Sequence, residues 1–167
     1  MTERVFHVLF LCTGNSARSI LAEALLERLG APRFRGFSAG SHPKDAPHPV
    51  ALAILSEKGF DTEGLRSKSW DDFAAPGAPE IDLVITVCDS AAKETCPIWS
   101  GSPSSAHWSL EDPAGCEGGP ESTRQRFEKT FDELESRIDR LVRLDVAELG
   151  RDALARRAGA IGSSDAS

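Results

Sequence analysis

A single α/β domain, with a parallel sheet and helices on both faces, is the fold this sequence predicts. Three observations lead to it. Short, nearly continuous apolar runs, as strands covered on both sides require, alternate with segments whose apolar residues recur every three or four positions. Two of those runs, VFHVLFLC (5–12) and DLVITVC (82–88), each end on a cysteine. The 167 residues suit one hydrophobic core, and neither an internal repeat nor a break in composition marks a second domain.

The elements follow in order. VFHVLFLC reads as a buried strand, and from Ser16 the period lengthens: Ala17, Ile20, Leu21, Ala24, Leu25 and Leu29 form a helical stripe that Gly30 and Pro32 stop. FRGFSAG (34–40) is a weaker strand, and SHPKDAPHP is a proline-rich loop. Pro49 suits the first turn of a helix that runs through VALAILSEK to a stop at Gly59. DLVITVC is the clearest strand; after it, Asp89 or Ser90 can cap a helix through AAKETC. AHWSL (106–110) predicts a fourth short strand. A long amphipathic helix spans Pro120 to Leu144, where Phe127, Phe131, Leu134, Ile138, Leu141 and Val142 share one stripe. Ser122 and Gln125 in it match a capping box. Beyond Asp145 the periodicity weakens, which predicts a domain over 1–145 and a C-terminal tail over 146–167, either a frayed helix or disordered.

Composition narrows the function. The chain is 40% hydrophobic and 27% charged, an ordinary soluble balance. A net charge of −7 disfavours nucleic-acid binding, which needs clustered lysine and arginine against phosphate. No stretch reaches the roughly 20 apolar residues of a membrane span. The start, MTERVFHVLFLC, lacks a secretory leader's long apolar region, so a cytoplasmic protein is expected. In that reducing compartment four cysteines point to catalysis or redox work rather than structural disulfides. With no CxxC pair and no HxxxH, zinc is set aside.

The loop after the first strand carries the chemistry. Thr13, Gly14, Asn15, Ser16 and Ala17 join a buried strand to a helix. Their N–H groups, with those opening the helix, can face one point and cradle a tetrahedral oxyanion. Gly14 and Asn15 are the residues best able to take the positive φ that closing such a ring demands. Arg18 adds a planar fork matched to two oxygens. The same field favours the thiolate of Cys12, making it a nucleophile. A nucleotide-binding loop is excluded because the Gly-Lys-Ser/Thr ending is missing. The plainer account, a buried cysteine and a surface arginine, does not explain the CX5R spacing at a strand-to-helix turn. A cysteine attacking an oxyanion also needs an acid to protonate the departing oxygen. Asp112, before Pro113, and its neighbour Glu111 both stand on a turn after the last strand, and spacing alone does not separate them. An Asp-Pro pair also simply starts turns.

CTGNSARS resembles the signature loop of the low-molecular-weight protein tyrosine phosphatases and of the arsenate reductases that share their fold. The resemblance runs from Val5 to about Leu144 and takes in SAG (38–40), VITVC and HWSLEDPA. It implies Cys12 as nucleophile, Arg18 as oxyanion clamp, Ser19 as hydrogen-bond partner of the thiolate and Asp112 as general acid. Two features favour the reductase branch. The chain has no tyrosine to wall in a phosphotyrosine ring after Asp-Pro, and it carries two further thiols, Cys88 and Cys96. Taken singly, these two are a strand-end and a helix-end cysteine; beside the loop they fit a relay. The resemblance implies that Cys88 releases arsenite by attacking the Cys12 adduct and that Cys96 then takes over the disulfide. It also implies an external reductant, thioredoxin in the first place and a glutaredoxin as the alternative. Seven residues separate Cys88 from Cys96, one more than is usual, which bears on that choice. The expected ligand is arsenate, with phosphate or sulfate competing, and the expected state is a monomer. Some relatives hold potassium; Asn15, Glu23 and Ser38 stand at matching places, while Trp70 falls where an aspartate would. Cys116 has no motif partner. The alternatives are a tyrosine phosphatase and a non-catalytic oxyanion or redox sensor.

Overall fold

The computed structural model describes residues 5–15, 17–31, 33–75, 77, 78, 80–87, 104–108, 110, 119–146 and 148–164. Strand β1 (Phe6–Leu11) leads into helix α1 (Arg18–Gly30) and strand β2 (Phe34–Ala39). Helix α2 (Pro49–Glu57) and a 3-10 turn (Trp70–Phe73) precede strands β3 (Leu83–Thr86) and β4 (Ser104–His107). Helices α3 (Pro120–Val142) and α4 (Arg151–Ser164) follow. The strands form one parallel sheet flanked by helices, as the sequence predicts, and their order is β2-β1-β3-β4.

Alternation along β1 sorts its side chains between two cores. Phe6, Val8 and Phe10 join Leu83, Ile85 and the buried faces of α1, α2, α3 and α4 in one cluster. Leu9 and Leu11 face the other way and pack with Ala39, Val84, Phe73 and Ile81, with Trp70 half-buried against them. The sheet is therefore apolar on both faces, which explains why its central strands read as continuous apolar runs.

Two boundaries and one helix cap differ from the sequence expectation. β4 lies two residues earlier than AHWSL predicts, because backbone pairing of Leu83 with Ser104 sets its register and polar serines serve that pairing as well as apolar residues do. Ser122 and Gln125 do not open α3. Its N-cap is Gly119, Pro120 fills the first turn, and the Thr123 N–H bonds to the Gly119 carbonyl at 3.1 Å. Proline at the first position outweighs the box because it presets φ and has no N–H to satisfy. The weak pattern after Asp145 resolves into α4, whose Leu154, Ala158 and Ile161 are buried against the main cluster. Trp108, fully buried after β4, donates its indole N–H to the Ala158 carbonyl at 2.8 Å.

Candidate active site

In the order β2-β1-β3-β4 the chain leaves β1 toward one edge and later returns to its other side, so the direction reverses between β1 and β3. Ligands of open parallel sheets bind at the carboxyl ends of the strands at such a reversal. Cys12 follows β1 directly at that point, 5% exposed, with its N–H bonded to the Ala39 carbonyl. On the neighbouring strand Leu11 pairs with Thr86, and the Val87 N–H bonds to the Leu11 carbonyl at 2.8 Å. The described chain thus delivers Val87 beside the root of the Cys12 loop; Cys88, next in sequence, lies outside the described residues.

The loop is held from its outer side. The Thr13 carbonyl accepts the His42 N–H, the Gly14 carbonyl accepts the Lys44 N–H, both at 2.9 Å, and the Asn15 carbonyl accepts the Ser67 hydroxyl at 2.6 Å. Across a trans peptide the N–H points opposite to the carbonyl. Fixing these carbonyls outward therefore turns the N–H groups of Gly14 and Asn15 inward. Among the described residues of the loop Asn15 has a positive φ, 45°, a conformation asparagine tolerates better than most residues. Gly14 serves by its small size instead: a Cβ there would stand 3.3 Å from the Lys44 side chain. Gly40 permits the closest approach. A Cβ on it would collide with the Thr13 carbonyl oxygen and lie 2.6 Å from that of Cys12.

Helix α1 opens under the loop without a side-chain cap; Ala17 is its N-cap and no acid occupies its first turn. Its first N–H groups lack intrahelical acceptors, and the helix dipole favours an anion there. Ser19 is fully buried, and its hydroxyl accepts the Asn15 Nδ2–H at 2.8 Å. Arg18 is half-buried and donates from Nη1 to the Leu110 carbonyl at 3.0 Å. That bond ties α1 to the segment after β4, two residues ahead of Asp112 in sequence.

Of the sequence-predicted site, the structure brings together Cys12, Thr13, Gly14, Asn15, Ala17, Arg18 and Ser19. Ser16, Cys88, Cys96, Asp112 and Cys116 lie outside the described residues, as does the helix expected through AAKETC. Of the three potassium candidates, Ser38 and Glu23 touch, the Ser38 hydroxyl donating to Glu23 Oε1 at 2.5 Å, while Asn15 is linked to them by way of Lys68. Lys68 is the residue sequence reasoning missed. Its N–H donates to Asn15 Oδ1 at 2.7 Å, and its ammonium lies 3.6 Å from Glu23 Oε1. Burial raises the Glu23 carboxyl above its usual range against the opposing pull of Lys68. Burial likewise lowers the Lys68 ammonium, against the pull of Glu23. A lysine in a loop, between Ser67 and Ser69, offers no sequence signal of this.

The family model described as low molecular weight phosphotyrosine protein phosphatase matches residues 7–155. The chain belongs to that family. Within the low-molecular-weight phosphatase family, its curated relatives include an arsenate reductase of Bacillus licheniformis, 35% identical over 133 residues, spanning 80% of this chain and 92% of that one. An arsenate reductase of Bacillus subtilis is 32% identical over 131 residues, covering 78% and 91%. A solved arsenate reductase described as being in the intermediate state superposes with a TM-score of 0.64 at 30% identity, over 83% of this chain and 97% of the other. A thioredoxin-dependent arsenate reductase of Corynebacterium glutamicum superposes at 0.58 with 27% identity; the match takes in 83% of this chain but only 60% of that longer one. A low molecular weight protein tyrosine phosphatase from T. tengcongensis reaches 0.62 at 26% identity, over 82% and 97%.

Proposed function

We propose that the protein reduces arsenate to arsenite by a cysteine relay fed by an external thiol reductant, thioredoxin in the first place. The observation that carries this reading is the Cys12 loop: a buried thiol-bearing residue at the sheet's reversal point, followed by a loop whose Thr13 and Gly14 carbonyls are bonded away to His42 and Lys44 and by a helix that starts without a side-chain cap. Two further cysteines in the chain and the arsenate reductases among its relatives support it.

Arsenate sits in the ring, with Arg18 and the loop N–H groups taking its charge. The Cys12 thiolate attacks arsenic, and Asp112 supplies the proton with which an oxygen leaves as water. Ser19, whose hydroxyl accepts the Asn15 side-chain N–H, steadies the thiolate in this reading. Cys88 then attacks the Cys12 sulfur. The sulfur–arsenic bonding pair goes to arsenic, which leaves as arsenite, reduced by two electrons, and a Cys12–Cys88 disulfide remains. Cys96 attacks Cys88, frees Cys12 and forms a Cys88–Cys96 disulfide for the reductant to open. Eight helical steps span about 12 Å, beyond the roughly 7 Å a disulfide tolerates between Cα atoms. If the segment between Cys88 and Cys96 is helical when reduced, it must unwind on oxidation. The chain's lack of tyrosine suits an inorganic oxyanion better than a phosphotyrosine ring.

The test is arsenate-dependent NADPH oxidation through thioredoxin reductase and thioredoxin, with Cys12→Ser, Cys88→Ser and Cys96→Ser compared separately. All three lose turnover. Cys96→Ser releases one arsenite per molecule and stops at a Cys12–Cys88 bond, whereas Cys88→Ser releases none. Hydrolysis of an aryl phosphate far outpacing arsenate-dependent NADPH oxidation would replace this reading with the phosphatase one.

A further inference from the structure

The cluster beneath the loop does not fit a metal cation as it stands. Asn15, Glu23 and Ser38 could offer oxygen atoms to one, but Lys68 already places an ammonium 3.6 Å from Glu23 Oε1. Both side chains are largely covered, 12% exposed for Lys68 and 15% for Glu23. The ammonium also donates to the Arg66 carbonyl at 2.7 Å. With one carboxylate and one ammonium the cluster is already neutral. Trp70, half-buried beside it in sequence, contributes no second carboxylate. A potassium ion added here would put two cations against the single carboxylate in contact with the ammonium, in a poorly solvated place, and its lost hydration would not be made good.

We propose that the Lys68 ammonium is the built-in cation of this cluster, standing where a monovalent metal ion would otherwise stand, so that the protein has no use for potassium. Lys68 is then a positioning residue. Its side chain balances Glu23 and its own N–H holds Asn15 Oδ1. Through Asn15 it fixes a positive-φ turn of the loop and the Ser19 hydroxyl. A tethered ammonium does this at any salt composition, whereas a bound ion would make the loop depend on the medium.

The inference rests on the proposed oxyanion site only where it reads oxyanion binding, so two measurements are made. Thermal unfolding is followed in potassium, sodium and choline chloride at equal ionic strength, and phosphate binding is titrated calorimetrically in the same three salts. The wild type behaves alike in all three, with melting points within about 1 °C and phosphate affinities within about twofold. Lys68→Ala, which removes the ammonium and opens its space, melts lower in choline and binds phosphate about tenfold more weakly. Potassium restores at least threefold of that affinity and raises the melting point more than sodium does. Lys68→Met, which keeps the stem and fills the space, loses affinity similarly but gains no potassium response. A wild type that melts higher or binds tighter in potassium than in sodium overturns the proposal. So does a Lys68→Ala protein indistinguishable among the three salts. Should no variant bind phosphate at all, the oxyanion reading fails, and the melting measurements still judge Lys68 by themselves.

Discussion

Around Asn15, single residues do several jobs at once. Its backbone makes the positive-φ turn, its carbonyl takes the Ser67 hydroxyl, and its amide bridges Ser19 and the Lys68 N–H. Such a residue is over-determined, which is what keeps an unfavourable φ in place. The Glu23–Lys68 pair below it costs stability as well as supplying it. Burial raises the Glu23 carboxyl and lowers the Lys68 ammonium, so desolvation outweighs attraction on both sides. Glu27 adds repulsion at Glu23, while Arg66 and Asp72 act on Lys68 in opposite senses. Removing only the cation has a calculable sign. In Lys68→Met the Glu23 carboxyl rises further above 4.5, its ordinary value, so the folded state takes up a proton more readily than the unfolded one. Stability is then regained as pH falls through the raised folded value, and the gain is complete below 4.5. The deficit of Lys68→Met against wild type, about 2 kcal/mol at pH 8, should shrink steadily toward pH 4.5 in urea denaturation. A deficit that stays constant with pH would contradict this account.

At the scale of elements, helix starts and ends show what local sequence conveys. Gly59, with a φ of 87°, ends the turn after α2 where the sequence predicts a stop. His48, an unremarked loop residue in the sequence, is the N-cap of α2; its Nδ1 accepts the Val50 N–H at 3.1 Å and its ring lies 4.7 Å from that of Phe127. Histidine is outside the usual set of capping residues, so propensity passes it over. Helix α4 is the larger case. Its apolar stripe is short and interrupted by Arg156, Arg157 and Gly159, too weak to announce a packed helix, yet the contact with β4 and Trp108 gives it a place in the core. Leu154→Ala should therefore cost about 2–4 kcal/mol of folding stability. A loss below about 0.5 kcal/mol, as for an exposed surface site, would return this segment to the status of a tail.

For the whole molecule, the sheet order turns two strands distant in sequence into neighbours. β1 and β3 are adjacent and parallel, with Leu11 opposite Thr86, so chain segments some 75 residues apart arrive at one end of the sheet together. Because the proposed oxyanion site is assembled from β1, α1, the segment around 40–44 and the segment around 67–68, it exists only in the folded state. A ligand that binds only that state stabilises it by about 2.7 kcal/mol at a hundredfold excess over its dissociation constant. That should raise the melting point by roughly 5–10 °C for a chain of this size. Phosphate or arsenate should produce this shift in Cys12→Ser, which cannot turn over, and not in Arg18→Ala. A shift that survives Arg18→Ala would place the anion elsewhere.

The alternation of strand and helix, the CX5R loop and the glycine stops were legible in the chain because each is a local demand. Side-chain period follows from backbone geometry, and a tight anion-facing turn needs particular residues at fixed spacing. What closes around that loop was decided only by tertiary structure. His42, Lys44 and Lys68 hold it through backbone N–H groups, which every residue but proline possesses, so no residue type advertises the role. The same holds for the ammonium beneath Asn15: a lysine becomes a buried counter-ion through the carboxylate that folding sets beside it, a partner 45 positions away in the sequence.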